Sequence, residues 1–275
     1  DPTRTTPVRT AWTLPRYTAP ALMLLPSLLF LAAFFALPSL GLLSYSFLTQ
    51  APDGTIGLPL TLEHYGHFFG TELYSHVLVT TLRISLITTA LAILLGYPVA
   101  LVMVRSHPMV NRVLTMVVIA PLVVSVVVRT YGWQLILGNG KSGIINWLLI
   151  STGLAKTPTA FLYTDAAVII GSLHVFFPMM VLPLASALGR IDLRIEDAAR
   201  TLGATTWRIF RKITIPLSLP GLTVGCTLVF SLTAGSFVTP AILGGSVSQM
   251  LGMLVDQQIT VVYDWPFGAA VAMVL

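Results

Sequence analysis

Four stretches of this chain carry no Asp, Glu, Lys or Arg, and each is long enough to cross a bilayer as a helix: Tyr17–Pro52, Ile84–Val104, Ala166–Gly189 and Ile213–Val255. Crossing the hydrocarbon core takes roughly 20 apolar residues in a helix. Only 9% of the 275 residues are charged, against about 25% in a typical soluble domain. There is too little charge to clothe a water-soluble exterior, so the pattern predicts an all-α, polytopic membrane protein. Val113–Val128 is shorter, but it reaches spanning length if Arg129 is tolerated and the run continues to Leu137. The expected spans are about 21–47, 77–104, 113–137, 165–188 and 214–243, with a sixth starting near Pro266. At 1.5 Å per residue, Phe267–Leu275 covers only about 13.5 Å, and the sixth helix is therefore expected to be truncated at Leu275.

The net charge of +5 does not point to nucleic acid, because the basic residues are dispersed among apolar spans. They read as topology signals instead. Arg4, Arg9 and Arg16 precede the first span, Arg105 and Arg112 sit in the second connection, and Arg190, Arg194, Arg200, Arg208, Arg211 and Lys212 fill the fourth. The alternate connections hold only Lys141 and Lys156. Short basic connections stay in the cytoplasm. Residues 1–20 thus read as a cytoplasmic tail, and 21–275 as a transmembrane domain with a cytoplasmic loop at about 190–213. The chain starts at Asp1 without an initiator Met, and its first apolar run is too long for a cleaved signal, so that span is expected to be retained. A lone Cys226 excludes an intrachain disulfide.

The fourth connection concentrates charge that the rest of the chain avoids. Ile195, Ala198, Ala199 and Leu202 recur there at helical spacing, with Glu196, Asp197 and Arg200 on other faces. Acidic residues come early, where they suit the positive end of the helix dipole. Gly203 permits the left-handed conformation that ends a helix. Trp207, Phe210 and Ile213 again follow helical spacing, and Pro216 and Pro220 lead into the next span. The expectation is a helix–Gly turn–helix lying along the membrane face, amphipathic on both arms and suited to being gripped by another chain.

Asp197-Ala198-Ala199, then Gly203, then Ile213-Thr214-Ile215-Pro216 resembles the Glu-Ala-Ala loop of ABC-importer permeases, Glu-Ala-Ala-x3-Gly-x9-Ile-x-Leu-Pro. Asp197 stands for Glu and Ile215 for Leu, while Glu196 is one position too early for the register. Val128-Arg-Thr-Tyr-Gly-Trp133, Gly143-Ile-Ile-Asn-Trp-Leu148, Ile195 to Ala204 and Asp264-Trp-Pro-Phe-Gly-Ala269 are similar to the spermidine/putrescine subgroup. The resemblance covers most of Pro20–Leu275 and implies a type I ABC importer permease of about six helices in a bacterial inner membrane. It also implies a second homologous permease, two ATP-binding subunits and an external solute-binding protein as partners. No cofactor would be bound by this chain, since ATP and Mg are used by the partner ATPase. The coupling residues would be Glu196, Asp197, Ala198, Ala199, Arg200 and Gly203. Small Ala residues admit a close partner, and Asp197 and Arg200 can pair across such a contact. A solvated basic loop would explain the charges but not the Ala-Ala/Gly spacing. The solute implied is a polyamine; another small amine, an amino-acid derivative or a phosphonate is the alternative.

Other residues invite chemistry. Gly140-Lys141-Ser142 mimics the end of a phosphate-binding loop, but Leu135 occupies the position of its first Gly. His64 and His67 are spaced for a shared metal yet lack a nearby third ligand, which favours interfacial polar residues. His174 reads as a hydrogen-bonder between helices. Arg83 and Arg129 sit near the ends of their spans, where long side chains can snorkel. One reading places Arg129, Tyr131 and Trp133 on the translocation path; the other gives Arg129 a structural or gate-pairing role. Asp256, with Gln257, Gln258, Tyr263 and Asp264, either holds an amine by charge and cation–π contact or forms a wet surface. An ion-coupled secondary transporter would need mid-depth carboxylates, and a membrane-embedded enzyme would need convergent His, Asp or Ser groups. Neither pattern stands out.

Overall fold

Proline placement decides much of how these apolar runs fold. The computed structural model describes residues 18–51, 53–141 and 143–275, with side chains from residue 23 onward. The expected 1–20 tail and Ser142 therefore lie largely or wholly outside the described residues. Helix α1 (Met23–Tyr45) loosens into a π turn at Ala32–Ala36, and Pro38 follows directly. A proline offers no N–H and its ring crowds the carbonyl four residues back; widening the preceding turn relieves both. The same device recurs at Phe210–Thr214, ahead of Pro216.

After α1 come a two-stranded antiparallel ribbon, β1 (Thr49–Gln50) with β2 (Ile56–Gly57), and a short helix α2 (Glu63–Gly70). Helix α3 (Glu72–Arg105) follows. Glu72 in its first turn and Arg105 in its last complement the helix dipole, and Pro108 forbids its continuation. Over 34 residues α3 extends about 50 Å, so it reaches beyond the hydrocarbon at both ends. Helices α4 (Pro108–Val123), α5 (Val126–Leu137) and α6 (Ile144–Ser151) lead to α7 (Asp165–Gly189). Next come α8 (Leu193–Thr201), α9 (Thr206–Ala234), α10 (Val238–Leu243), α11 (Leu251–Val262) and α12 (Trp265–Val274).

The core is a trio of α3, α7 and α9. Its seam on α3 is a stripe of small buried residues, Thr81, Ser85, Thr88, Ala92, Gly96 and Ala100. Met180 of α7, fully buried, wedges between Gly96 of α3 and Gly225 of α9. A Cβ on Gly225 would lie 2.8 Å from Met180 Sδ, and one on Gly221 would lie 2.6 Å from the Pro183 carbonyl oxygen. In lipid, where apolar side chains gain little from leaving the tails, such backbone proximity supplies the packing. The described part of α1 buries no residue, and its Leu and Phe side chains face outward.

Two expected spans differ. The 113–137 run is broken, since α4 and α5 meet at an angle of 101°. Pro121 lacks the N–H for the last turn, and Val124 and Ser125 are both extended. Hydropathy counts apolar residues and does not register that break. The 214–243 span instead begins at Thr206 and ends at Ala234, where the chain turns at Gly235 into the separate α10. The second arm of the expected helix–turn–helix is therefore the opening of α9 and not a helix lying apart along the face. Four described helices are long and apolar enough to cross a membrane, or five with the bent pair counted as one. Helix α12 starts where expected, with Asp264 Oδ1 accepting from the Phe267 N–H at 3.0 Å and Pro266 in the first turn.

Candidate coupling site

Helix α8 is bounded at both ends by local hydrogen bonds. Asp192 caps its start by accepting from the Arg194 N–H at 2.9 Å. At its end the Gly203 N–H donates to the Arg200 carbonyl at 2.9 Å and the Ala204 N–H to the Ala199 carbonyl at 3.0 Å. Gly203 sits at φ +81. This is the paired-bond termination that a left-handed residue makes possible. Thr205 then caps α9, accepting from the Arg208 N–H at 3.3 Å.

The helix is turned inside out relative to a soluble one. Leu202 is 88% exposed, and Leu193, Ile195 and Trp207 are exposed with it, whereas Glu196 is only 5% exposed. The apolar stripe expected along Ile195, Ala198, Ala199 and Leu202 looks away from the rest of the chain. Of its charged residues only Glu196 looks in, while Arg194, Asp197 and Arg200 stay exposed. Arg105 at the end of α3 grips Glu196 with two bonds, Nη1 to Oε2 at 2.8 Å and Nη2 to Oε1 at 2.5 Å. Thr214 of α9 donates to Glu196 Oε1 at 3.0 Å. The hydrogen bond from Arg105 holds the Glu196 carboxyl below its ordinary pKa against the opposing effect of burial, with Thr214 adding to the shift.

The expected coupling set is therefore divided. Asp197, Ala198, Arg200 and Gly203 are exposed and Ala199 is partly so, but Glu196 is buried against α3 and α9. Asp197 and Arg200 pair with each other at 3.2 Å instead of waiting singly for a partner. Exposed pairs of this kind contribute little, and both charges stay on the surface. Sequence reasoning did not identify Arg105 and Thr214 as Glu196's partners. Arg105 read as a topology signal, and Thr214 as part of the Ile-Thr-Ile-Pro run.

At the other end the remaining residues separate. Trp133 donates from Nε1 to His174 Nδ1 at 3.0 Å, which bears out the expected bonding role of His174. Both rings line an apolar cleft of 380 Å³ between α4, α5 and α7. Tyr131 points outward, half-exposed. Arg129 approaches only the Val175 carbonyl, at 3.5 Å, and has no carboxylate within ion-pairing distance among the described residues. Arg83 pairs with Asp165, whose other oxygen accepts from Ser248 at 2.5 Å. Asp256 and Tyr263 are exposed, and Tyr263 gives only its carbonyl, to Gln50 at 2.9 Å. Gln258 and Asp264 instead join Glu63, His64 and His67 around a cavity of 580 Å³. Among the described residues no three ligand-type side chains gather for a metal. Gly140 and Lys141 follow a helix, not the strand a phosphate-binding loop requires.

A trio of apolar helices with a small-residue seam, several spans and an exposed, capped surface helix at one end defines a multi-pass membrane transport subunit. Residues 91–275 match the family described as binding-protein-dependent transport system inner membrane component, and the chain belongs to that family. It is 36% identical over 239 residues to the spermidine/putrescine transport system permease protein PotB of Haemophilus influenzae, covering 87% of this chain and 82% of that one. Against PotB of Escherichia coli K12 the identity is 34% over 245 residues, with 89% and 88% covered. A putative 2-aminoethylphosphonate transport permease, PhnU of Salmonella choleraesuis, is 29% identical over 260 residues, with 93% and 87% covered. The crystal structure of a bacterial ABC transporter that imports the acidic polysaccharide alginate shares the fold. It gives a TM-score of 0.65 at 18% identity, with 93% of this chain and 89% of that one covered. These relatives are transport permeases, and this chain is likewise a non-catalytic membrane subunit.

Proposed function

We propose that this chain forms half of an ATP-driven import pathway for a small organic amine, with a polyamine as the first choice. The observation that carries the proposal is α8, whose apolar side and Asp197-Ala198-Ala199 face outward while Glu196 roots it to α3 and α9. A helix built this way passes force from whatever holds it to two membrane helices at once. A second permease would complete the pathway, two ATP-binding subunits would hold ATP and Mg and grip α8, and an external binding protein would deliver solute. The Arg-rich 190–213 segment and the 1–20 tail would lie in the cytoplasm. Closure of the ATPases would carry α8 as a rigid body and swing the spans between inward-open and outward-open states.

Spermidine, putrescine and 2-aminoethylphosphonate all carry an ammonium group, so an amine is the solute feature common to the named relatives. Ion-coupled transport finds less support, because Glu72 and Asp165 stand in the first turns of their long helices, Glu196 lies outside them, and no carboxylate falls in the interior of a long span among the described residues. The test is reconstitution with the co-purified ATPase and binding protein. Labelled spermidine should accumulate with ATP and not with a proton gradient alone. Accumulation driven by the gradient after ATP is exhausted would sink the reading.

A further inference from the structure

We infer that the bundle of α3, α7, α9 and α10 encloses a site for ordered water, held by five hydroxyls that find no partner in the protein. Ser85 and Thr88 of α3, Ser172 of α7, Thr233 of α9 and Thr239 of α10 are all 0% exposed. None of their side-chain oxygens makes a hydrogen bond among the described residues, and they account for five of the seven buried side-chain atoms left in that condition there.

The five gather at one level. Met180 wedges between Gly96 and Gly225. Helices α3 and α7 run the same way, since Arg83 pairs with Asp165 near their starts and Gly189 faces Val104 near their ends. Helix α9 runs opposite: its Ser218 meets Tyr97 and, further on, its Val229 packs in one cluster with Ala92 and Met180. From the wedge, Thr88 stands eight residues back along α3, Ser172 eight back along α7 and Thr233 eight forward along α9. Each step is about 12 Å in the same direction. Ser85 lies about one turn beyond Thr88. Thr239 joins through Gly171, the neighbour of Ser172, since its Cγ2 is 3.1 Å from where a Cβ on that glycine would sit.

A hydroxyl in a helix can bond to the carbonyl four residues back, as Thr81, Thr89 and Thr130 do at 2.8, 2.7 and 2.8 Å. The five do not, and a buried hydroxyl without a partner carries its full desolvation penalty. Water meets the deficit, because it donates and accepts, and buried waters characteristically bridge polar groups left unsatisfied. A cation fits worse. Asp165, the one carboxylate of α7, is seven residues from Ser172 and already engaged by Arg83 and Ser248. An ion among neutral hydroxyls would lose its hydration without gaining a counter-charge. Water also gives four helices a common partner that can re-form bonds as they shift. That role in import rests on the proposed function; the water site itself does not.

The assembled transporter in nanodiscs is given a brief X-ray pulse, which turns bound water into hydroxyl radicals that mark the side chains beside it. Leu243, 0% exposed and against Gly171, should be marked; Leu184, equally buried in an apolar cluster, should not. Thr88→Val, Ser172→Ala and Thr233→Val should each lower the melting midpoint by about 2–4 °C. A hydroxyl with no partner at all would leave the midpoint unchanged, or raise it, when a methyl of the same shape replaces it. An unmarked Leu243 in the wild type overturns the inference even where a variant fails to fold. Midpoints that hold or rise overturn it as well. So does a wild-type midpoint that climbs with sodium chloride but not choline chloride, the rise being lost in Thr233→Val, because the site would then hold a cation.

Discussion

Arg105 and Glu196, 91 positions apart in the chain, meet in a two-bonded fork of 2.8 and 2.5 Å that roots the surface helix in the membrane bundle. Thr214 closes the joint from a third helix. With Glu196 anchored inward, Asp197 and the adjacent alanines are left facing outward.

Removing one side of that fork leaves the other charge stranded. Arg105→Met should destabilise the chain by about 2 kcal/mol, below the 3–5 kcal/mol typical of a fully buried pair, because Arg105 keeps 24% of its side-chain exposure. Thermal unfolding in detergent measures this. The double variant Arg105→Met with Glu196→Gln should recover part of the loss, and a double variant worse than the sum of its parts would contradict the pairing.

The joint should also be acid-sensitive. Glu196's carboxyl lies below its ordinary value of 4.5 in the folded chain. Its contribution is therefore full above the unfolded-state value and is lost as pH falls through the depressed folded one. Unfolding followed between neutral and strongly acid pH should show a stability loss below about pH 4.5 that is smaller in Glu196→Gln. Identical slopes in the two proteins would count against the joint.

Gly203 occupies a backbone region that costs a residue with a Cβ about 1–2 kcal/mol. Gly203→Val should fray the end of α8 and cut solute-stimulated ATPase activity more than assembly, whereas Gly203→Asn, which tolerates φ above zero, should retain most of it. Equal damage from both would point away from the backbone.

Leu202 offers the complementary test. At 88% exposure, Leu202→Ser should change stability by less than about 0.5 kcal/mol yet weaken co-purification with the ATPase. Unchanged capture would remove α8's apolar side from the proposed contact.

In the core, Gly225→Leu must push Met180 aside, whose Sδ would lie 2.8 Å from the first added carbon. Overpacking of this kind costs about 1–3 kcal/mol. At Gly132, where nothing lies within 4 Å, an added methyl should be tolerated. Detergent melting curves of Gly225→Leu and Gly132→Ala compare the two directly.

Local chemistry was enough to read several features from the sequence. Charge-free length announced the spans, Gly203 announced the end of α8, and Asp264 with Pro266 announced the start of α12, because helix length and capping depend on neighbours a few residues away. The bend between α4 and α5 was not legible from hydropathy, since two extended residues at Val124 and Ser125 leave the apolar count unchanged. The destination of each charge was decided only by folding. Arg105 read as a topology marker and Glu196 as a coupling residue, yet the fold brings the two together as a joint. Glu63, Gln258 and Asp264 lie on three segments and share a cavity for the same reason. Sequence determines what each segment can be, but electrostatic partners are chosen by proximity across helices, which exists only once the bundle has packed.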